Sequence, residues 1–155
     1  MEFNHKVRAC LFLEREAEEA ATFYTSIIPD SRIENIVRPD PEGPALVVEF
    51  TVGGLPMMIL NGNPEVTSSH THSISVLTED QQETDRLWAA LTQDGGEAGQ
   101  CGWLRDRYSV HWQIVPKQLP RLMSRDDAQA GARVQAALMQ MKKIDISALE
   151  AAANG

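Results

Sequence analysis

The sequence contains few of the features that mark secreted or membrane-bound proteins. It has only two cysteines, Cys10 and Cys101, which form no CxxC motif and fit reduced thiols in a reducing compartment. No apolar run approaches the roughly 18 residues of a membrane span. The N-terminus MEFNHKVRAC also lacks the apolar segment of a signal peptide. We therefore expect a cytoplasmic protein.

Positive charge is also scarce in this chain. The 14 Lys and Arg residues are outnumbered by 22 Asp and Glu residues, which leaves a formal net charge of -8. Nucleic acids and anionic membranes bind clustered basic faces, and the sequence shows no such cluster. We therefore expect neither as a partner. The 43% hydrophobic fraction over 155 residues is typical of one soluble globular domain.

The apolar pattern of the first half predicts a strand, a helix and three further strands. Val7–Leu13 has strand composition, and the next segment repeats apolar residues at helical spacing. Pro29 and Asp30 end this helix. The helical stripe consists of Ala17, Ala20, Ala21, Tyr24, Ile27 and Ile28, and the later strands are Arg32–Val37, Ala45–Val52 and Leu55–Leu60.

The second half repeats this order of elements. A shift of 64 residues places Leu13 on Leu77 and Tyr24 on Trp88. Each half is therefore predicted to form a βαβββ module. Since neither module could bury both faces of its sheet alone, we expect an α+β fold in which the two form one curved, mixed and antiparallel sheet. The elements of the second half are Ser73–Leu77, the helix Asp80–Thr92, and a hairpin of Gln100–Arg105 and Val110–Val115.

The residues from Ser124 onward lie outside the repeat and are predicted to form extra C-terminal helices, the second near Ser147–Ala153. One apolar face of this tail must be covered either by the end of its own sheet or by a second subunit. That face consists of Val134, Ala137, Leu138 and Met141. The predicted organisation is a domain over 1–123, with modules at about 1–66 and 67–123, and a helical extension over 124–155.

Several strings link the sequence to a known family. CLFLEREAEEAATFYTSIIPDSRI lies in the first half, and Gln-Cys-Gly-Trp, Trp-Gln-Ile-Val-Pro and Met-Lys-Lys-Ile-Asp-Ile lie in the second. With these strings the chain resembles the vicinal oxygen chelate (VOC) superfamily of glyoxalase, bleomycin-resistance and dioxygenase proteins. It most resembles the PhnB-like branch, also labelled 3-demethylubiquinone-9 3-methyltransferase-like. The resemblance implies paired βαβββ modules and a homodimer. Relatives usually carry Gly where this chain has Ser109.

The resemblance also implies positions for the ligands of a divalent metal, on the first and last strands of each module. Gln113 stands where glyoxalase-like enzymes carry a Glu or Gln ligand. One amide oxygen without imidazole or carboxylate companions should not hold an ion against water. We therefore expect no tightly bound metal and no other cofactor. The residues read at these positions are Val7, Ala9, Leu11, Met57, Ile59, Asn61, Thr71, Ser73, Ser75, His111, Gln113 and Val115.

Strand alternation predicts a polar lining for a small-molecule site. His111 and Gln113 share one face of their strand, whereas Trp112 and its neighbours Val110 and Ile114 share the other and are predicted to be core. His111 titrates near neutrality when unperturbed and could serve as a general base. The predicted ligand-binding residues are Asn61, Ser73, Ser75, Trp103, His111 and Gln113, and no catalytic residue is assigned.

Other candidates receive simpler interpretations. His70 and His72 could join His111 around a metal, but strand phase favours histidines satisfied by solvent or backbone. Cys101 has no evident base, cation or helix start to lower its pKa, so a packed thiol is expected. Trp103 follows Gly102 and is the aromatic residue expected to line the site.

The sequence therefore predicts a PhnB-like protein that binds a small organic molecule in its cleft. One alternative is a metal-dependent lyase, isomerase or dioxygenase that uses Gln113 and a histidine. A second is the methyltransferase of the family label, although the first turn, LEREAEE, has no glycine and four glutamates. A third is a structural or regulatory protein that binds a partner through its C-terminal helices.

Overall fold

The computed structural model describes residues 5–124 and 127–155, which divide into two units, Met1–Thr67 and Ser68–Gly155. Each unit carries one four-stranded mixed sheet, and the predicted α+β class is confirmed. The predicted βαβββ order is also found in both halves. Within the described residues, no helix combines the length and apolar character needed to span a membrane.

The first unit contains one helix and a sheet ordered β1-β4-β3-β2. β1 runs parallel to β4, and the other neighbours are antiparallel. The α1 stripe buries Ala17, Ala20, Ala21 and Tyr24, so the helical spacing of the sequence places these side chains in the core. The elements are β1 (Ala9–Leu13), α1 (Ala17–Ile27), β2 (Arg32–Val37), β3 (Val47–Val52) and β4 (Leu55–Asn61).

The second unit repeats this topology with the order β5-β8-β7-β6 and then adds three helices. The short strand β6 and the helix α3 were not predicted. Pro116 and Pro120 obscure α3 in the sequence, although proline is tolerated in a first helical turn. The elements are β5 (Ile74–Thr78), α2 (Gln81–Thr92), β6 (Glu97–Ala98), β7 (Trp103–Arg105), β8 (His111–Pro116), α3 (Gln118–Met123), α4 (Ala128–Leu138) and α5 (Ile146–Asn154).

The predicted 64-residue offset between the halves is wrong. Leu13 is 3% exposed, whereas Leu77 is 62% exposed, so the two side chains occupy opposite faces of their sheets. A change of one residue in strand register reverses the face. The buried counterpart of Leu13 is Thr78, which is the last residue of β5 as Leu13 is of β1.

A buried carboxylate organises the turn between β7 and β8. Asp106 is fully buried and accepts hydrogen bonds from the backbone N–H groups of Tyr108 and Val110, at 2.8 and 3.0 Å. It also accepts one from the indole Nε1 of Trp112, at 2.8 Å. Trp112 is a core residue, as predicted, and Tyr108 is buried beside the turn. These bonds join the turn to the core and set the hairpin that places His111 opposite Arg105.

The C-terminal helices form a small core of their own. Their apolar face is buried within the chain, because the helices pack on one another. The face was predicted to pack against the end of the sheet or against a second subunit, and neither forms this cluster. The buried residues are Leu122, Val134, Ile144, Leu149 and Ala153, flanked by Leu119, Ala137, Leu138 and Met141.

A loop and a side chain of the second unit hold this helical tail. The backbone N–H groups of Cys101 and Gly102 donate to the carbonyls of Met141 and Lys142, each at 2.8 Å. The Gln81 amide donates to the Ile144 carbonyl and accepts from the Ile146 N–H. The Cys101 thiol lies 3.7 Å from the Met139 sulfur, so it packs against the tail as predicted.

Two glycines test how strongly the tail is held. Gly54 and Gly102 share φ of +83°, but a Cβ at Gly54 meets nothing within 4 Å, whereas one at Gly102 lies 2.8 Å from the Ile114 oxygen and 2.9 Å from Ile144 Cδ1. We expect Gly54→Ala to cost about 1 kcal/mol of unfolding free energy from backbone strain. Gly102→Ala should cost roughly 1 to 3 kcal/mol more from overpacking, measured by urea denaturation. Equal losses would contradict this packing.

Ser109 adopts left-handed φ of +65°, a conformation that glycine takes without strain. Its Oγ accepts a hydrogen bond from Arg105 Nη1 at 3.3 Å. Ser109→Gly and Ser109→Ala both remove this bond, but only the glycine relieves the backbone strain. We expect the Gly variant to be more stable than the Ala variant by about 1 kcal/mol in chemical denaturation. An Ala variant of equal or higher stability would show that the turn is unstrained.

Candidate functional site

The candidate site lies on the face of the second sheet that is opposite α2. Within β8, Trp112 and Ile114 are buried, while His111 and Gln113 project from the other face. Strand register places Gln113 between Ser75 of β5 and Trp103 of β7. The sheet therefore brings together five of the six residues predicted from the sequence, Ser73, Ser75, Trp103, His111 and Gln113.

His111 is the best-buried polar residue of this face, at 7% exposure. Its Nε2 lies 2.5 Å from Ser68 Oγ, and its ring centroid lies 4.1 Å from that of His70. Burial lowers the pKa of His111 below its ordinary value of 6.5, and the charges of His70, Arg105 and His72 act in the same direction against Asp106. A neutral imidazole carries one donor and one acceptor nitrogen, so in the tautomer with its proton on Nδ1 the Ser68 hydroxyl donates to His111 Nε2.

A pocket of about 320 Å³ opens beside this histidine. The His70 ring lies between its neighbours, with centroids 4.1 Å from His111 and 5.8 Å from Trp103. Arg105 lines the pocket and pairs with Glu97 at 3.0 Å, so the guanidinium charge is balanced locally. The side chains that matter most for its chemistry are those of Ser68, His70, Glu97, Trp103, Arg105 and His111.

The remaining polar residues of the face lie next to the pocket. The Gln113 amide nitrogen donates to Ser73 Oγ at 2.8 Å, which ties β8 to the segment before β5. Ser75, the second residue of β5, is exposed. The predicted shared face of His111 and Gln113 on β8 is confirmed, whereas contact of these residues and of Ser73 and Ser75 with a ligand stays a prediction.

Asn61 is not brought together with the other five residues. The predicted face of β1 and β4 is wrong, because Leu11, Met57, Ile59 and Asn61 are buried on the α1 side. The Asn61 amide accepts from the Ala17 N–H at 3.0 Å and donates to the Ala45 carbonyl at 2.8 Å. Asn61 also lines a separate pocket of about 350 Å³ in the first unit. Its amide orients the start of α1.

The opposite face of the first sheet carries a network of charged side chains that was not predicted from the sequence. Arg8 pairs with Glu34 and lies 3.6 Å from Glu49, and the Arg8 and Glu34 side chains are only 7% and 6% exposed. The Thr51 hydroxyl, with Arg8 and Arg32, lowers the pKa of Glu34. These ion pairs bridge β2, β3 and the residue before β1.

The residues present do not fit the divalent-metal site that the superfamily fold implies. A ligating imidazole needs a ring-nitrogen lone pair free for the metal, whereas His111 Nε2 is already in contact with Ser68 Oγ at 2.5 Å. Gln113 is hydrogen-bonded to Ser73. Across residues 5–124 and 127–155 no group of three or more His, Cys, Asp or Glu side chains could hold an ion.

The start of α1 does not fit an adenosyl methyl donor bound at a helix N-terminus. Such a ligand needs an open helix start and a glycine-rich turn. Here the turn and the first helical turn carry Glu14, Glu16, Glu18 and Glu19, and Asn61 already occupies the Ala17 N–H. Negative charge and a capped amide both oppose binding of a nucleotide-like group there.

Four of these pocket side chains were not among the predicted ligand-binding residues, namely Ser68, His70, Glu97 and Arg105. Ser68 and His70 lie in an irregular segment before β5, where no periodicity predicts a direction. Arg105 could have been found, because Trp103 was selected and residues i and i+2 of a strand share a face.

Comparisons with known proteins agree with this fold. The family described as 3-demethylubiquinone-9 3-methyltransferase matches residues 5–115. A PhnB protein from Bacillus cereus that carries the same methyltransferase name is 31% identical, with 72% of this chain and 99% of that chain covered and a TM-score of 0.65. A comparison with curated proteins gave no match.

More distant structures share the fold alone. PA1353 from Pseudomonas aeruginosa is 20% identical, with a TM-score of 0.59 over 73% of this chain and 98% of that one. The fosfomycin resistance protein FosX from Mesorhizobium loti is 13% identical, with a TM-score of 0.55 over 80% and 100%. The chain belongs to the 3-demethylubiquinone-9 3-methyltransferase family, in the PhnB-like branch of the VOC superfamily.

Proposed function

We propose that this protein binds a small, flat organic molecule in the pocket of the second unit. The observation that carries this proposal is the grouping of one indole and two imidazole rings around a space of about 320 Å³. Aromatic faces favour flat ligands by stacking, and the volume is at the lower end for small-molecule sites. Trp103 is half-buried without a ligand, so part of its surface is available for such a contact.

The electrostatics favour a neutral ligand. The depressed pKa of His111 keeps its imidazole neutral at pH 7, and Glu97 balances Arg105. A phosphate or other dianion would therefore find little net positive charge. Ser68 in the pocket and Gln113 next to it offer a hydroxyl and an amide oxygen for directional hydrogen bonds, which matches a ligand that carries both a donor and an acceptor.

The proposal predicts that 4-hydroxybenzamide binds and quenches tryptophan fluorescence. Trp103→Ala should weaken its binding by roughly 1 kcal/mol, about fivefold, in isothermal titration calorimetry, because the stacking surface is removed. Trp88→Phe, on α2, is the matched control and should leave the affinity unchanged.

The saturated counterpart, 4-hydroxycyclohexanecarboxamide, tests the need for a flat ring and should bind more weakly to the unmodified protein. Equal loss of affinity in the Trp88 and Trp103 variants would contradict the proposed location. Equal affinity for the flat and the saturated compound would contradict the stacking argument.

We also propose a homodimer in a reducing compartment, in keeping with the family resemblance. The apolar face of the tail no longer supports the dimer, since that face is buried within the chain. Exposed apolar side chains on the sheets, Phe12 at 48% and Leu77 at 62%, support it instead. The two free cysteines support the compartment.

The dimer predicts a molecular mass twice that of the chain in sedimentation at micromolar concentration. Leu77→Lys should shift the equilibrium toward the monomer, because it places a charge on an exposed apolar position. Leu55→Lys, at an equally apolar but separate position that is 46% exposed, is the control. A monomeric unmodified protein would refute the proposal.

A further inference from the structure

The pocket contains a hydroxyl and a base in direct contact. Ser68 Oγ lies 2.5 Å from His111 Nε2, the distance at which a proton passes between a nucleophile and its general base. Ser68 is exposed, so an incoming carbonyl carbon has access to its oxygen. His111 is nearly buried, and this burial lowers its pKa, so the imidazole is uncharged at pH 7 and accepts the hydroxyl proton at Nε2 in the tautomer with its own proton on Nδ1.

The base is held in place by its neighbours. The His70 ring lies against the His111 ring at 4.1 Å between centroids, and Trp103 flanks His70 at 5.8 Å. β8 is paired on both sides, with β5 and with β7, so the backbone at His111 is fixed. A general base acts efficiently when its ring is locked in the productive orientation.

A cation lines the same pocket as Ser68 and His111. Arg105 is the register partner of His111 on β7 and lines the same pocket. Glu97 and Ser109 hold two of its donors, which orient the planar guanidinium without covering it. A positioned guanidinium stabilises the oxyanion formed when a hydroxyl adds to a carbonyl group.

We propose that Ser68 is a nucleophile and His111 its general base, and that the pocket hydrolyses small esters with a flat acyl or alcohol group. This inference rests on the proposed function, because the substrate occupies the same pocket. It adds a reaction to binding, with Arg105 as the oxyanion stabiliser.

The reaction balances without a co-reactant other than water. Ser68 Oγ forms a bond to the ester carbonyl carbon while its proton passes to His111 Nε2. The tetrahedral intermediate then breaks its bond to the alcohol oxygen, which receives that proton and leaves as the alcohol. Water attacks the acylated Ser68, again giving a proton to His111, and the Ser68 oxygen takes the proton back as the carboxylic acid departs.

Covalent labelling tests the nucleophile directly. Diisopropyl fluorophosphate should phosphorylate Ser68 with loss of fluoride, giving one adduct in the intact mass and one modified peptide. Ser68→Ala should abolish the label. Ser69→Ala is the matched control, because Ser69 lies next in the chain but its hydroxyl contacts Thr71, at 2.9 Å. No label, or a label retained in Ser68→Ala, would overturn the proposal.

Turnover of phenyl acetate tests the base. We expect Ser68→Ala and His111→Gln each to lower kcat/KM by about 100-fold or more, whereas Ser69→Ala changes it little. The acidic limb of the pH profile should lie below the ordinary histidine value of 6.5, since the pKa of His111 is lowered and only the neutral form accepts a proton. An acidic limb at or above that value, or equal turnover in Ser68→Ala and the unmodified protein, would overturn the proposal.

The binding experiment separates this inference from the function on which it rests. Ser68→Ala should still bind 4-hydroxybenzamide, weakened by up to about tenfold through the loss of one hydrogen bond, because the stacking surface of Trp103 and His70 remains. Binding of 4-hydroxybenzamide without covalent labelling would support the binding function and contradict the hydrolase. If neither binding nor labelling occurred, both proposals would be contradicted.

Discussion

The buried carboxylate of Asp106 is the interaction on which the second unit depends most. A charge with no access to water is tolerated only where several donors surround it, and here two backbone N–H groups and the Trp112 indole do so. These bonds join the β7–β8 turn to the core. The register that follows places Arg105 opposite His111 and Trp103 opposite Gln113. The arrangement of the pocket therefore depends on one side chain in the turn between β7 and β8.

The two units use similar topology for different purposes. In the first unit, the face opposite α1 carries the Arg8 and Glu34 ion pair. The two charges compensate each other, so neither side chain is available to a ligand. In the second unit, the corresponding face carries imidazole, hydroxyl and amide groups beside a pocket. This difference explains why a family defined by its fold gives no reaction by itself, since the chemistry depends on the few side chains on one face.

The family name and the residues present point in different directions. The acidic start of α1, already capped by Asn61, opposes a nucleotide-like methyl donor, and in the part of the chain that the structure describes no three His, Cys, Asp or Glu side chains group to hold a metal. What these residues favour is a neutral pocket with a stacking wall and one activated hydroxyl. The C-terminal helices contribute indirectly, because they pack against the loop of Cys101 and Gly102 that leads into Trp103.

Much of the fold followed from the sequence alone. Helical spacing in Ala17–Ile27 and strand alternation around Trp112 predicted the elements and the polar face of β8, because periodic burial leaves a periodic pattern. The face of β1 and β4 could not be found this way, since strands with apolar residues on both faces, such as Met57 and Met58, have no clear phase. Tertiary structure alone decided that Asn61 holds α1 while Ser68 and His70 reach His111. The irregular segment before β5 has no repeating pattern, so the positions of its side chains depend on packing between residues far apart in the chain.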